Sequence, residues 1–181
     1  MKTTEGVITA ADADIGVLQL GVGSLEIVFD SREEVRSLAA ALAGQARRSL
    51  LLHSSDLEPV IYDQPPFLEA VRSMVRGHRD SCLYILLQDG RSAVQNGHRI
   101  IELSRRLNSR IQIRRPPAEY LDFGETFLLA DNSGYLQRPL YSRYEGTASF
   151  NNPGTTRRLK QYFMEVWEHS QPDVEMRRLH I

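Results

Sequence analysis

The chain has 181 residues, of which 41% are hydrophobic and 25% charged, with a formal net charge of -1. That balance excludes a disordered polymer and leaves room for one domain with a full core. It also gives no whole-molecule attraction to nucleic acid or to an anionic membrane, so binding of either kind needs a local basic patch.

Residues 1–30 read as β structure. Gly6–Thr9, Val17–Leu20 and Leu25–Phe29 are short apolar runs separated by Gly, Asp and Ser, as in a small meander. Ser31 precedes Glu34 by three, a capping-box spacing, and Val35, Leu38, Ala39 and Leu42 follow at helical intervals. Leu50-Leu51-Leu52 is a short buried strand, and residues 56–63 read as extended or loop-like around Pro59. Pro65 and Pro66 open a second helix, with Phe67, Ala70, Val71, Met74 and Val75 on one face. Cys82–Leu87 is a continuous apolar run, as in a strand covered on both faces.

A further helix carries Ala93, Val94, Ile100, Ile101, Leu103 and Leu107 as its apolar positions. In 110–114 apolar and polar residues alternate, so Arg110, Gln112 and Arg114 share one side and Ile111 and Ile113 the other. Thr126–Ala130 is another buried strand, ended by the turn sequence Asp131-Asn132-Ser133-Gly134, and Tyr135–Arg138 pairs back as a hairpin. A long helix from about Thr155 buries Leu159, Tyr162, Phe163, Val166 and Trp167, and Val174–Ile181 is read as an edge strand. The lone Cys82 sits mid-strand among apolar neighbours, which points to packing rather than a nucleophile. No zinc spacing, His-Glu-x-x-His or Gly-rich phosphate loop is present, so no metal and no cofactor are expected. No apolar run reaches the roughly 20 residues of a membrane span. Met1–Glu5 leads into no signal-peptide core, and a cytoplasmic protein without membrane attachment is the expectation.

The order of these elements, with Asp131 closing a strand before a hairpin and Phe163-x-x-x-Trp167 on the last helix, resembles one repeat of the phospholipase D superfamily over about residues 47–181. More closely, the chain is similar to an uncharacterised gamma-proteobacterial group of degenerate phospholipase D-like domains, whose members can occur with acetyltransferase-type domains. The matching elements are Gly97-His98-x-x-x-Glu102-Leu103-x-x-Arg106-Leu107, Ala130-Asp131-x-x-Gly134, Phe163-x-x-x-Trp167 and Arg177-x-Leu179. The resemblance implies an α/β fold, a phospholipase D-like mixed sheet flanked by helices. Residues 1–46 form an N-terminal β-meander and helix extension, and 47–181 the phospholipase D-like domain.

The family motif is His-x-Lys-x-x-x-x-Asp. With Asp131 as its Asp, the place of the His is taken by Gly124 and that of the Lys by Thr126; Asn151 or Asn152 matches the later Asn. The family's chemistry needs an imidazole nucleophile, a second His as acid and lysines to hold phosphate charge. None of His53, His78, His98, His169 and His180 lies in a His-x-Lys context. The chain is therefore expected not to be an enzyme, and a phosphodiesterase would need a site relocated to His98.

What remains is binding. Arg105, Arg106, Arg110, Arg114 and Arg115 fall in a span with no acid after Glu102. Arg114 and Arg115 stand at a strand's C-terminal end, where open α/β sheets collect ligands. Arg138 and Arg143 follow Asp131 and could approach the same place. The candidate ligand-binding set is His98, Arg106, Arg110, Arg114, Arg115, Asp131, Arg138 and Arg143, weighed against solvated or salt-bridged arginines beside Glu119, Asp122 and Glu125. Tyr135, Tyr141 and Tyr144 interleave with Arg138 and Arg143, which suits single-stranded nucleic acid or a protein interface equally. The expectation is a non-catalytic domain that binds a phosphate-bearing ligand or nucleic acid through an Arg-lined groove. The alternative is a protein-interaction module acting on a partner enzyme such as an acetyltransferase. A homodimer is implied by the superfamily's pairing of repeats.

Overall fold

The structure, a computed structural model, describes residues 5–172. In chain order its elements are β1 (Glu5–Thr9), β2 (Ser24–Phe29), α1 (Arg32–Gln45), β3 (Ser49–Ser54), α2 (Pro59–Tyr62), α3 (Pro65–Gly77), β4 (Cys82–Leu87), α4 (Arg91–Gln95), α5 (Arg99–Arg106), β5 (Ile111–Arg115), β6 (Thr126–Ala130), β7 (Gly134–Arg138), β8 (Gly146–Ser149), α6 (Pro153–His169) and β9 (Gln171–Pro172). The strands form one mixed sheet in the order β1-β2-β8-β7-β6-β3-β4-β5-β9. β3, β4 and β5 run parallel, and β6 lies antiparallel to β3. The sheet thus has two working edges. One is the amino edge, where β3, β4 and β5 begin. The other is the carboxyl edge, where they end.

Local sequence sets the starts of the helices. Ser31 accepts from the Glu34 N–H at 3.3 Å while the Glu34 carboxylate accepts from the Ser31 N–H at 3.2 Å, so two orphan donors of α1 are satisfied reciprocally. Asn152 caps α6 through the Thr155 N–H at 3.0 Å, with Pro153 in the first helical position. Helices α1, α3 and α5 cover one sheet face over Leu50, Leu52, Ile85, Ile111 and Ile113. Helix α6 covers the other face through Leu159, Phe163, Val166 and Trp167. Each of these side chains contributes about 1.5–3 kcal/mol by leaving water.

The structure departs from the sequence reading in four places. First, Val17–Leu20 is not a strand. Asp14 caps a 3-10 turn at Ile15–Val17, and the Gln45 side chain ties down the Leu18 carbonyl and the Leu20 N–H. With that middle strand gone, β1 and β2 pair in parallel and extend the main sheet through β8. Second, residues 59–62 form a short helix started by Pro59. Third, the helix expected from Ala93 to Leu107 is two, broken where Gly97 takes φ +66°. Fourth, β8 lies in what reads as a loose segment. Its Gly146 has no room for a side chain, because a Cβ there would meet the Gln137 carbonyl and the Phe29 ring. At the far edge β9 (Gln171–Pro172) pairs with β5, and the expected Val174–Ile181 strand lies outside the described residues.

Candidate functional site

The carboxyl edge carries the positions that resemblance assigns to catalysis. Thr126 is fully buried and its hydroxyl donates to the His53 carbonyl at 2.6 Å. Gly124 is less confined, since a Cβ there would meet nothing nearer than Leu140 at 4.0 Å. The His53 ring stacks on Phe127 at 5.3 Å and meets Phe123 and Tyr162 edge-on. Its Nδ1 lies 3.0 Å from the Glu125 carbonyl and so carries the proton, while its buried Nε2 has no partner among the described residues. Burial pushes this imidazole down to about 4, and it stays neutral at ordinary pH. Burial also pushes the Tyr162 hydroxyl, which has no partner among the described residues, up to about 12.

The eight candidate residues do not converge on one groove. His98 is buried as the N-cap of α5 rather than on a polar helix face. Its Nδ1 accepts from the Ile100 N–H at 3.2 Å and its Nε2 donates to the Leu57 carbonyl at 3.0 Å. Both ring nitrogens are thus engaged within the fold. Burial lowers its pKa below the ordinary value. Arg138 is the largest fully buried side chain among the described residues. It pairs with Glu58 at 3.0 Å, donates to the Tyr141 carbonyl at 2.6 Å and lies over the Tyr144 ring. Arg143 is exposed beside Glu145 at 3.9 Å. Arg138 ends β7, four strands from β5, so it does not approach Arg114 and Arg115. Sequence spacing could not reveal this, because Glu58 comes from a distant loop and claims the guanidinium.

Arg114 and Arg115 end β5 at the carboxyl edge; Arg114 stacks on Trp167 at 4.4 Å and donates to its carbonyl at 2.9 Å. Arg110 lies about 13 Å away along the strand, at the amino edge. There it donates to the His78 carbonyl at 2.9 Å. Arg106, at the end of α5, is exposed near the same edge. Asp131 is there too. It adopts φ +53°, and its carboxylate accepts the backbone N–H groups of Arg47, Arg48 and Ser49, the last two at 2.8 and 2.9 Å. It therefore caps the start of β3.

The amino edge gathers residues outside the candidate set. Arg47 and Arg48 precede β3, Arg76 and Arg79 flank the end of α3, and Arg157, Arg158 and Lys160 lie early in α6, where Lys160 donates to Asn132 at 2.9 Å. Among the described residues, ion pairs join Arg72 to Glu69, Arg91 to Asp89, Arg99 to Asp63, Arg138 to Glu58 and Arg143 to Glu145. None of these takes a cation from the amino edge. Asp80 is the exposed acid among them. Arg76 and Arg106 can answer the helix dipole at the C-termini of α3 and α5, but Arg157 and Arg158 stand near the positive end of α6 and gain nothing from it. A cleft of about 670 Å³ opens on this edge, lined by Leu20, Gln45, Arg47, Met74, His78, Asp131 and Ser133 among others. The signal for this edge was present in the sequence, since an arginine directly precedes each strand from β3 to β5 or lies within three residues of it. A search aimed at carboxyl ends passes over it.

Among the described residues, no group of three or more His, Cys, Asp or Glu side chains is placed to hold a metal ion, and no helix is long and apolar enough to cross a membrane.

The mixed sheet flanked by helices is a phospholipase D-like fold. Nuc, a phospholipase D family member from Salmonella typhimurium, superimposes with a TM-score of 0.51 at 14% identity, over 76% of this chain and 90% of that one. NucT from Helicobacter pylori gives 0.56 at 10% identity, over 82% and 98%. TrmBL2, an archaeal chromatin protein described with a novel mode of DNA binding, gives 0.60 at 17% identity. That match covers 82% of this chain, which spans about half of TrmBL2 at 54%. The chain belongs to the family described as Domain of unknown function (DUF7931), whose model matches residues 31–179. No curated protein matches it.

Proposed function

We propose that this chain is a non-catalytic phospholipase D-like domain that binds nucleic acid by its phosphates, along the amino edge of the sheet. The observation that carries the reading is the gathering there of arginines without carboxylate partners among the described residues, Arg47, Arg48, Arg76, Arg79, Arg106, Arg157 and Arg158. With a net charge of -1, only such segregation gives a nucleic acid a surface to approach. DNA binding by the structurally similar TrmBL2 is consistent with this use of the fold. The absence of catalysis is supported by Gly124 and by Thr126, whose side chain is buried and bonded to the His53 carbonyl.

The test is fluorescence anisotropy with labelled DNA and RNA across a salt series, for the natural chain and for Arg47→Ala/Arg48→Ala/Arg79→Ala. About five phosphate contacts would give a slope of log affinity on log salt near -4, reduced by about 2 to 3 in the variant. No binding at low salt, or binding unchanged in the variant, overturns the proposal. Phosphodiester hydrolysis by the purified chain overturns its non-catalytic part.

A protein partner is the second reading. It is favoured by Val7 and Val28, both exposed on the face of the β1–β2 pair opposite Ile8 and Ile27. Light scattering of the chain alone tests the homodimer that resemblance implies.

A further inference from the structure

We infer that the amino edge grips duplex DNA across one groove, with the helices on the two faces of the sheet each holding a different strand's backbone, and so binds duplex more tightly than single strands. This rests on the phosphate-binding reading of the same edge and names the form of nucleic acid it takes.

The first observation is how the cations are layered. At the level of the sheet, the Arg48 carbonyl accepts the Cys82 N–H at 3.0 Å and the Arg110 carbonyl accepts the Leu83 N–H at 2.8 Å, so these two arginines flank the start of β4. Neighbouring strands lie about 4.8 Å apart, which separates their backbones by about 10 Å. On one face of the sheet, Arg76 and Arg106 stand in the last turns of α3 and α5, the helices packed over Leu50, Ile85 and Ile111. On the other face α6 begins at this same edge. The Asn152 N–H donates to the Ser133 carbonyl at 2.8 Å and the Thr156 hydroxyl to the same carbonyl at 3.1 Å, so the exposed Arg157 and Arg158 follow directly on the β6–β7 turn. Packed layers are about 10 Å apart, so the two outer pairs are separated by about 20 Å across the layers, with the sheet arginines between them.

A single strand offers one row of phosphates, which follows one layer and leaves the others unanswered. A duplex offers two rows, on either side of a major groove about 12 Å wide. With the width of the backbones themselves added, the two rows match the two outer pairs, and the sheet arginines face the groove between them.

The second observation is where the aromatic rings are. Proteins that hold single strands stack successive bases on aromatic side chains. Every Phe, Tyr and Trp of the sequence lies among the described residues. Those at strand ends on the amino edge, Tyr135 and Phe150, are buried, and Tyr84 within β4 is already stacked on Trp167 at 4.7 Å. The exposed Tyr141 and the half-buried Tyr120 and Phe123 belong to loops of the opposite edge. The His78 imidazole is exposed at the amino edge, but one ring does not ladder successive bases. Cations without a stacking platform suit a duplex, whose bases are already stacked on one another.

The experiment measures anisotropy with a labelled DNA duplex of about 16 base pairs, longer than one helical turn, and with each of its single strands. Arg76→Ala/Arg106→Ala removes one outer pair and Arg157→Ala/Arg158→Ala the other; thermal melting checks that both variants fold. At about 50 mM salt each further phosphate neutralised is worth about tenfold, so the natural chain is expected to bind the duplex at least about tenfold more tightly than either strand. On the duplex each variant should reduce the slope of log affinity on log salt by about 1 to 2. On a single strand no more than one of the two variants should change the slope.

A single strand bound as tightly as the duplex, a duplex slope left unchanged by either variant, or a single-strand slope changed by both overturns the inference. If that happens while Arg47→Ala/Arg48→Ala/Arg79→Ala still loses binding, the duplex grip fails and the phosphate-binding edge stands. If neither duplex nor single strand binds, both fail.

Discussion

Replacing Arg138 by Met tests whether this residue belongs to the architecture rather than to a ligand site. The side chain is 0% exposed and its Glu58 partner 14%. Glu58 accepts both terminal nitrogens at 3.1 Å, and the Tyr141 carbonyl takes a further bond. Removing one member of a buried pair leaves the other charge uncompensated, at about 3–5 kcal/mol. Against this, Arg138 Nε is buried without a partner among the described residues, and its removal returns about 1 kcal/mol. A net loss of about 3 kcal/mol follows. At a urea dependence of about 2 kcal/mol per molar, the midpoint should fall by about 1.5 M. Arg138→Met/Glu58→Gln should recover at least half of the loss. The variant should also acquire a pH signature. Burial already raises Glu58 above 4.5, and the attraction and hydrogen bond of Arg138 oppose that rise. Without Arg138 the native carboxyl holds its proton to higher pH than the unfolded one. Stability then falls as pH rises from 4.5 through the raised folded value, and acidification restores it. A single-variant loss below about 1 kcal/mol, or no recovery in the double variant, would refute the pairing.

Three further outcomes are expected. With His53 lowered from 6.5 to about 4, the unfolded chain takes up a proton in that window that the native chain does not, so acidification should remove about 3 kcal/mol of stability; His53→Phe should flatten much of this loss in urea titrations at successive pH values. Asp131→Ala should lose about 3 kcal/mol through three unanswered amides and a left-handed alanine, whereas Asp131→Asn, which tolerates φ +53°, should lose less; equal midpoints for the two would contradict the capping role. Thr126→Lys should cost several kcal/mol or prevent folding, because it buries an amine among groups that cannot pair it, while Gly124→His should stay within about 1 kcal/mol; circular-dichroism melting decides, and a native-like Thr126→Lys would mean an open carboxyl edge.

The fold was legible where local chemistry and burial agreed. The Ser31–Glu34 spacing produced its reciprocal cap, and the apolar run Cys82–Leu87 became a central parallel strand. The alternation in 110–114 also held, with Ile111 and Ile113 in the core under α5 and Arg114 turned to Trp167. The misses arose where distant partners decided. Val17–Leu20 has strand composition, but Gln45 reaches its backbone from α1. His98 has the spacing of a surface residue on a continuous helix, but the left-handed Gly97 breaks that helix and turns the imidazole into a cap. Arg138 alternates with tyrosines as a ligand residue would, yet Glu58 meets it inside the protein. No local pattern encodes which of several arginines an acid from another loop will neutralise.

The strand β6 explains why a resemblance to one motif can divide into two different physical roles. Its five residues, Thr126–Ala130, span about 16 Å between the edges of the sheet. The position matching the motif's Lys stands at the carboxyl edge, and Asp131 stands at the amino edge. The carboxyl-edge side chain serves only what binds there, so Thr126 can occupy its place and bond to the His53 carbonyl without disturbing the sheet. Asp131 receives the first amides of β3, the strand on which β4 and β6 both pair, and so is required by the fold whatever the ligand. The second role does not depend on the first. On the proposed reading, a search for a ligand begins at Asp131, on the edge that carries the arginines without described carboxylate partners, and not at Gly124.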